Sequence, residues 1–188
     1  IMWDQGFPFD QLCPSGTPVG CVATAMAQVM YYWRWPEQGM GQHTYKYGGI
    51  THTVDFSAAT YDWDLMYDRY DGSNSEAAND EVAKLSYHCG VSIDMQYGAG
   101  GSGAWTEYLS HALTNYFSYN PHCGIAYRTD MSYNDWTAAL NRELLEGRPI
   151  IFAGTSDQGG HAFVIDGINA EGLYHVNWGW GGYYNGYY

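Results

Sequence analysis

Basic side chains are scarce in this sequence. Lysine and arginine together number 7 against 20 aspartates and glutamates, which gives a formal net charge of −13. Such a chain repels phosphate backbones and anionic lipid surfaces, so we expect neither nucleic acid nor a membrane as a partner. Long apolar runs are also absent, and no segment stays apolar over the length of a membrane span. The first residues, 1–4, have the character of a folded segment, so we expect any export signal or pro-segment to have been removed or left out.

Leucine is scarce, and the cysteines are not paired in sequence. The abundant residues are instead glycine (24), tyrosine (19) and tryptophan (8), which favour a globular chain of aromatic-rich strands and loops over a helical bundle. The four cysteines form no Cys-x-x-Cys motif, so no zinc site is predicted, and we expect no metal or organic cofactor. A length of 188 residues suits one domain or two closely packed lobes.

The most informative stretch is an alanine-rich segment that begins at Cys21. Its larger apolar residues follow helical spacing, which predicts a helix that ends before Pro36: Val22, Met26, Val29, Met30 and Trp33. Upstream, Thr17 and Pro18 offer helix-start signals. Cys21 then lies in the first helical turn, where free N–H groups and the helix dipole stabilise a thiolate. An isolated buried cysteine is nevertheless more often a packing residue, so Cys21 alone decides nothing.

Turn residues divide the remaining chain into predicted helices and strands. Residues 1–16, the N-terminal arm, are expected to be extended. Predicted helices cover 63–70, 75–88 (capped by Asn74 or Ser75), 105–117 and 135–146 (capped by Asn134). Predicted strands cover 44–47, 91–95, 149–153, 159–167 and 173–178. The last two form a hairpin that returns 179–182 toward His161, but its register leaves open whether Asn177 or Trp178 faces His161.

A cysteine peptidase needs a thiolate, an imidazole that carries the proton, a group that orients the imidazole, and oxyanion donors. Cys21, His161, Asn177 and Gln5 offer these four functions. Each is weak alone, because the chain has seven histidines and His175 is a direct competitor of His161. The glycine-rich residues 98–104 lack a phosphate-binding pattern and are typical of a flexible loop that walls a cleft.

These motifs resemble the streptopain family of papain-like bacterial cysteine peptidases. The similarity runs through residues 19–28 (VGCVATAMAQ), 159–167 (GGHAFVIDG) and 174–182 (YHVNWGWGG), and more weakly through 4–6, 91–95 and 135–136. It implies an α+β, papain-like, two-lobed fold, in which a helical lobe with the nucleophile helix packs on an antiparallel β-sheet lobe. Residues 1–188 would form a single peptidase domain.

The resemblance also implies a role for each candidate residue. Cys21 would be the nucleophile and His161 its general base and acid, while Asn177 or Trp178 would orient and shield the imidazole. Gln5 and the Cys21 N–H would form the oxyanion hole. The implied substrate-binding residues are Gly101, Ser102, Gly103, Gly159, Gly160 and Trp178, with a hydrophobic preference at P2, one position before the residue that contributes the scissile carbonyl. The family further implies a secreted, extracellular endopeptidase of protein and peptide substrates, with an N-terminal pro-domain as intramolecular inhibitor.

The sequence departs from the family pattern in two respects. The family continues past Tyr188 with a glycine-rich loop and a closing strand, so we expect the C-terminal end of the family domain to be missing here. Cys13, Cys89 and Cys123 are additional, and Cys13 is near enough to Cys21 in sequence for inhibitory pairing. Two other functions stay open: a thiol acyltransferase or amidase using the same Cys21 and His161, and a non-enzymatic binding module, for which the 18% aromatic content argues.

Overall fold

Helix α1 (Cys21–Trp33) runs through the centre of the protein, and residues 22–30 are all buried. The computed structural model describes residues 1–188. The alanines of α1 allow close packing on two sides, against helices on one and a β-sheet on the other. The predicted end before Pro36 is confirmed, since Arg34 closes the helix in the left-handed conformation. The predicted place of Cys21 in the first turn is also confirmed; the N-cap is Gly20, which offers no side-chain cap, so Thr17 is not the cap and Pro18 lies before the helix.

The helical lobe is built from α2 (Glu76–Ser92), which packs on α1, and α3 (Tyr108–Tyr116). Ser75 caps α2 by accepting a hydrogen bond from the Ala78 N–H at 3.2 Å, as predicted. The strand predicted at 91–95 is wrong, because α2 continues through Gly90 to Ser92. A side chain at Gly90 would collide with the Tyr97 hydroxyl, so a glycine that resembled a helix end instead permits close packing. The helix predicted over 63–70 is also wrong and contracts to one 3₁₀ turn, Trp63–Leu65.

A two-stranded antiparallel hairpin, β1 (Gln42–Tyr47) with β2 (Ile50–Asp55), covers another face of α2. Its outer positions are exposed, whereas His52 and Val54 point into the core. The alternating pattern predicted over 44–47 therefore falls on a real strand. None of the helices combines the length and apolar character needed to cross a bilayer.

The sheet lobe is a four-stranded antiparallel sheet in the order β3 (Ile150–Ser156), β4 (Gly159–Ile168), β5 (Tyr174–Asn177) and β6 (Gly186–Tyr187). Strand β4 packs on α1, and α4 (Tyr133–Leu145) contacts β3 and β4. Helix α4 begins after Ser132, whose hydroxyl accepts from the Asp135 N–H, so the cap predicted at Asn134 is wrong by two residues. The short β6 was not predicted.

The register of the sheet determines what surrounds His161. On one side His161 pairs with Gly154 of β3, and on the other Val164 pairs with Asn177 of β5. The β4–β5 pairing shifts register between Ile165 and Gly167. Asn177 is thereby the last residue of β5, and Trp178 begins the turn that folds back toward His161.

Candidate active site

Cys21 lies at the N-terminal end of α1, where the helix meets β4. Its Sγ accepts a hydrogen bond from the Ala162 N–H at 3.5 Å, which brings the sulfur beside His161. Burial raises the pKa of the Cys21 thiol, but hydrogen bonding to His161, the Ala162 and Val22 N–H groups and the charge of His161 together lower it below its ordinary value. The same contact with Cys21 raises the pKa of His161, against the opposing effect of burial. The two groups therefore favour each other's charged form.

The ring of His161 is oriented by a main-chain carbonyl. Its Nε2 lies 2.9 Å from the Trp178 oxygen. A carbonyl can only accept, so Nε2 carries the proton and Nδ1 is the nitrogen left to exchange a proton with Cys21. This arrangement suits a general base, because the tautomer is fixed before substrate arrives.

Three aromatic rings enclose the imidazole. The Trp180 ring stacks on it at 4.8 Å between centroids, and the rings of Phe163 and Trp178 follow at 6.0 and 6.1 Å. Trp178 is held in turn by its own hydrogen bonds, from its N–H to Asn185 Oδ1 and from its Nε1–H to the Tyr184 carbonyl, each at 3.0 Å. These rings limit the access of water to the His161–Trp178 hydrogen bond.

The Asn177 side chain makes its hydrogen bonds to groups other than the imidazole. It is buried, and its Nδ2 donates to the Ile1 carbonyl and to Gln28 Oε1, both at 2.8 Å. Its Oδ1 accepts from the Gly179 N–H at 3.1 Å. Of the two candidates, Trp178 is the one that reaches His161, through its carbonyl and its ring.

Gln5 lies on the N-terminal arm, half-buried and beside the segment that precedes Cys21. Its carbonyl accepts from the Val19 N–H at 2.9 Å, so the main chain of Gln5 is tied two residues upstream of the nucleophile. The Gln5 amide makes no hydrogen bond within the protein, whereas its N–H donates to Asp4 Oδ1. The Gln5 side-chain amide is therefore free to hydrogen-bond a ligand beside the segment that precedes Cys21.

Apart from Trp178, the predicted substrate residues lie on two segments next to the pair. Ser102 donates to the Pro18 carbonyl at 2.6 Å, and a Cβ at Gly20 would lie 3.0 Å from the Ser102 carbonyl oxygen. The 101–103 loop therefore lies against the residue that precedes Cys21. Gly159 and Gly160 are exposed at the start of β4 and lead directly into His161. The absence of side chains there leaves the approach to His161 open.

Two surface depressions differ in their relation to the pair. One of about 210 Å³ lies beside the 101–103 loop and is lined by Gln96, Gly103, Ala104 and Trp105. A larger one of about 490 Å³ includes Arg34 and Asp64 in its lining. It lies at the far end of α1, ~20 Å from Cys21 along a helix of this length. The larger depression is therefore separate from the chemistry of Cys21.

The other candidates from the sequence lie elsewhere. Cys13, Cys89 and Cys123 are all free, as is Cys21, so the structure contains no Cys13–Cys21 pairing. His175 hydrogen-bonds Asp166 through Nδ1 and packs on the Tyr187 ring, in a structural position on β5. No cluster of three or more histidine, cysteine and acidic side chains is arranged to hold a metal ion.

Three further residues near the pair were not singled out from the sequence. Ala162 contributes only its N–H, for which a sequence carries no signal. Trp180 was visible within the tryptophan–glycine motif but had no assigned role. Gln28 was visible too, as one of two polar residues, with Thr24, in the buried stretch of α1, and it is 2% exposed.

A family model described as the Peptidase C10 family matches residues 3–188. The chain belongs to this family. Streptopain from Streptococcus pyogenes is 33% identical over 210 residues, which cover all of this chain and 53% of streptopain. The thiol protease/hemagglutinin PrtT of Porphyromonas gingivalis is 36% identical over 194 residues, which cover 99% of this chain and 22% of PrtT. This C10 chain thus spans about half of streptopain and a smaller share of PrtT.

Solved structures agree with this membership. Active wild-type interpain A, a cysteine protease of Prevotella intermedia, superimposes with a TM-score of 0.93 at 39% identity, covering all of this chain and 82% of interpain A. A prointerpain A fragment from the same organism gives a TM-score of 0.91 at 40% identity, covering 100% of this chain and 62% of the fragment. The α+β, papain-like fold expected from the sequence is confirmed.

Proposed function

We propose that this chain is a cysteine endopeptidase, with Cys21 as nucleophile and His161 as general base and acid. The observation that carries the proposal is the mutual effect of the two side chains, which lowers the pKa of Cys21 and raises that of His161. A thiolate paired with an imidazolium at neutral pH is the reactive form of a cysteine peptidase. Membership of the Peptidase C10 family supports the same reaction.

The reaction would proceed in two stages. The Cys21 thiolate attacks the peptide carbonyl carbon, and the oxyanion that forms is stabilised by the Cys21 N–H and the Gln5 amide. His161 then protonates the departing amine nitrogen from Nδ1, which breaks the peptide bond and leaves a thioester. Neutral His161 removes a proton from water, the hydroxide adds to the thioester, and the acid departs as Cys21 thiolate and imidazolium are restored.

We infer that substrates lie between the 101–103 loop and the Gly159–Gly160 segment. The exposed main chain of both segments suits an extended peptide, and the Trp178 ring offers apolar surface for a hydrophobic P2 side chain. We also propose that the enzyme is secreted and is held inactive by an N-terminal pro-domain. The prointerpain relative supports a pro-form, and the acidic, lysine-poor composition suits an extracellular protein.

The test is hydrolysis of casein and of a peptide series that varies only at P2, by wild type, Cys21→Ala and His161→Ala. We expect cleavage by wild type alone, fastest with large apolar P2 residues. Products are identified by mass spectrometry with and without an added amine. Free carboxyl products under both conditions support a peptidase, whereas amide products formed only with the amine would establish an acyltransferase. Binding of casein without cleavage by wild type would contradict the proposal and favour a binding module.

A further inference from the structure

A buried pair of amides joins the nucleophile helix to the turn that carries Trp178. Gln28, two turns along α1 from Cys21, accepts through Oε1 from Asn177 Nδ2 at 2.8 Å and from the Trp3 N–H at 3.4 Å. Both partners are donors, so the orientation of the Gln28 amide is determined by its neighbours. Gln28 and Asn177 are each 2% exposed.

The hydrogen bonds continue from Asn177 to the catalytic histidine through one peptide unit. The Trp178–Gly179 peptide donates its N–H to Asn177 Oδ1 and, on its opposite side, accepts from His161 Nε2. Because a peptide unit is planar, holding its N–H also fixes the direction of its carbonyl. Hydrogen bonds in such a chain polarise one another, so the far end affects how well the carbonyl accepts from an imidazolium.

The packing around Gly179 leaves little room for the Trp178–Gly179 peptide to move. Gly179 has φ 72, and a Cβ there would lie 3.1 Å from Thr24 Cγ2. The turn is thus seated directly on α1. A shift of the Trp178 carbonyl would have to displace the nucleophile helix or break the Asn177–Gln28 bond.

Gln28 is a poor choice for stability alone. Its Nε2 is buried without a hydrogen-bond partner, which is unfavourable relative to an apolar side chain of similar size. Asn177 Nδ2 would still have the Ile1 carbonyl if Gln28 were replaced. A methionine would therefore remove one unpaired donor and leave Asn177 with a partner, while the Trp3 N–H would lose its long hydrogen bond of 3.4 Å to Gln28.

We propose that Gln28 is a positioning residue of the catalytic pair, fixing through Asn177 and the Trp178–Gly179 peptide the carbonyl that orients His161. The catalytic meaning of this inference rests on the proposed function. The connection itself is structural, because Gln28 lies on the helix that begins with Cys21 and is linked by hydrogen bonds to the carbonyl that holds His161. The titratable group facing His161 is Cys21, while Phe163 of β4 and the Trp178 and Trp180 rings carry no charge. The N-terminal arm contributes one carboxylate nearby, Asp4, beside Gly181.

The experiment compares wild type with Gln28→Met, Gln28→Glu and Thr24→Val. The pH at which His161 loses its proton is followed by NMR on ¹³C-histidine-labelled protein, with the His161 signal identified by its absence in His161→Ala. Steady-state kcat and KM on a peptide substrate and the melting temperature are measured in parallel. Thr24→Val is the matched control, because Thr24 contacts the same turn through its methyl group while its buried hydroxyl has no partner.

In Gln28→Met we expect the His161 midpoint to fall by about one pH unit and kcat by about tenfold, the effect of one hydrogen bond to a charged group, with KM and melting temperature little changed. Gln28→Glu keeps the acceptor, so its midpoint should not fall below that of wild type. Thr24→Val should match wild type.

An unchanged His161 midpoint in a folded Gln28→Met, or an equal fall in Thr24→Val, would overturn the inference. If Gln28→Met fails to fold, the test rests on Gln28→Glu. A His161 midpoint in Gln28→Glu below that of wild type then counts against a positioning role. The titration does not depend on proteolysis. An inactive wild type would thus refute the proposed function, while the titration midpoints of His161 would still test whether Gln28 positions this residue.

Discussion

Cys21 differs from the other three cysteines in what surrounds its sulfur. Burial raises the pKa of Cys13 to about 12 and also raises the pKa values of Cys89 and Cys123. At Cys21 the same effect of burial is outweighed by His161 and by two main-chain N–H groups. Of the four thiols, Cys21 is the one whose pKa lies below its ordinary value, so it is the most readily ionised.

Iodoacetamide at about pH 7 should label Cys21 at least ~10-fold faster than any other cysteine, because the thiolate is the reactive species. In His161→Ala the pKa of Cys21 would be set only by burial and by the main-chain N–H groups, so it should rise and labelling should become slower. The rates of the two proteins should converge as the pH rises above the ordinary thiol pKa. Mass-spectrometric mapping after timed quenching measures each site, and uniform labelling of the free thiols would contradict the expectation.

Gln5→Ala should lower kcat by about 10²–10³-fold with little change in KM, as expected when one oxyanion donor is removed. The matched control is Gln11→Ala, since Gln11 is an exposed glutamine on the same arm that hydrogen-bonds Asp80. Steady-state kinetics on one peptide substrate separate the two constants. A kcat for Gln5→Ala equal to that of the control would remove Gln5 from the mechanism.

At the scale of elements, α2 carries a buried base that opposes folding in acid. His88 Nδ1 and the Tyr61 hydroxyl are hydrogen-bonded at 2.9 Å. Burial, with a smaller contribution from the charge of Lys84, lowers the pKa of His88 to about 4. Between about pH 6.5 and 4 the unfolded chain binds a proton that the folded helix does not, so stability falls as the pH falls. Burial also lowers the pKa of His52, with the same sign.

His88→Gln should remove most of the contribution of His88, because glutamine does not titrate and its amide can donate to or accept from the Tyr61 hydroxyl. We expect wild type to lose up to ~3 kcal/mol of unfolding free energy between those pH values, and the variant clearly less. Urea unfolding at several pH values measures the slope. His122→Gln, at an exposed histidine, is the control, and a slope that His88→Gln leaves unchanged would contradict the assignment.

The elements that could be predicted from the sequence are those whose local pattern agrees with their burial. Helix α1 was predictable because its spacing and alanine content both favour a helix that is buried on every side. The 91–95 segment was not, because Val91 and Ile93 alternate like a strand while Gly90 continues α2 for the sake of packing against Tyr97. Asp94 then adopts φ 53, which breaks any extended run.

At the scale of the whole molecule, the N-terminal arm joins the two lobes. The Trp3 Nε1–H donates to the Tyr67 carbonyl in the helical lobe, and the Trp3 carbonyl accepts from the Gly181 N–H beyond β5. The Trp3 ring is fully buried and packs on Phe9 and Tyr31 at 5.6 and 4.9 Å. Gln5 is therefore held by an anchor two residues away that touches both lobes.

Trp3→Ala should lower the free energy of unfolding by about 3–5 kcal/mol, the usual range for a large aromatic side chain lost from a core. Phe7→Ala is the matched control, because Phe7 is 68% exposed on the same arm and should change stability little. Chemical denaturation at fixed pH gives both values. Similar small losses in the two variants would mean that the arm is not an anchor.

The candidate residues of the site could be proposed from the sequence, but the hydrogen bond that orients His161 could not. The motifs brought Cys21, His161 and Trp178 into consideration because their residue types carry the chemistry. Which of Asn177 and Trp178 faces the imidazole depends on a register shift between Ile165 and Gly167, and no local pattern encodes it. Main-chain donors and acceptors such as the Ala162 N–H and the Trp178 carbonyl follow only from tertiary structure.

The acceptor for His161 Nε2 is present whatever amino acid occupies position 178. Replacing Trp178 removes a ring but keeps the carbonyl, so side-chain scanning of this position reports on shielding and substrate contact and is blind to orientation of the imidazole. The bond becomes accessible only to chemistry on the main chain, such as an ester in place of the Trp178–Gly179 amide, which deletes the N–H held by Asn177 and weakens the carbonyl as an acceptor. The group that holds the His161 imidazole is thus a main-chain carbonyl, and its position depends on the conformation of the turn after β5 and not on the side chain at position 178.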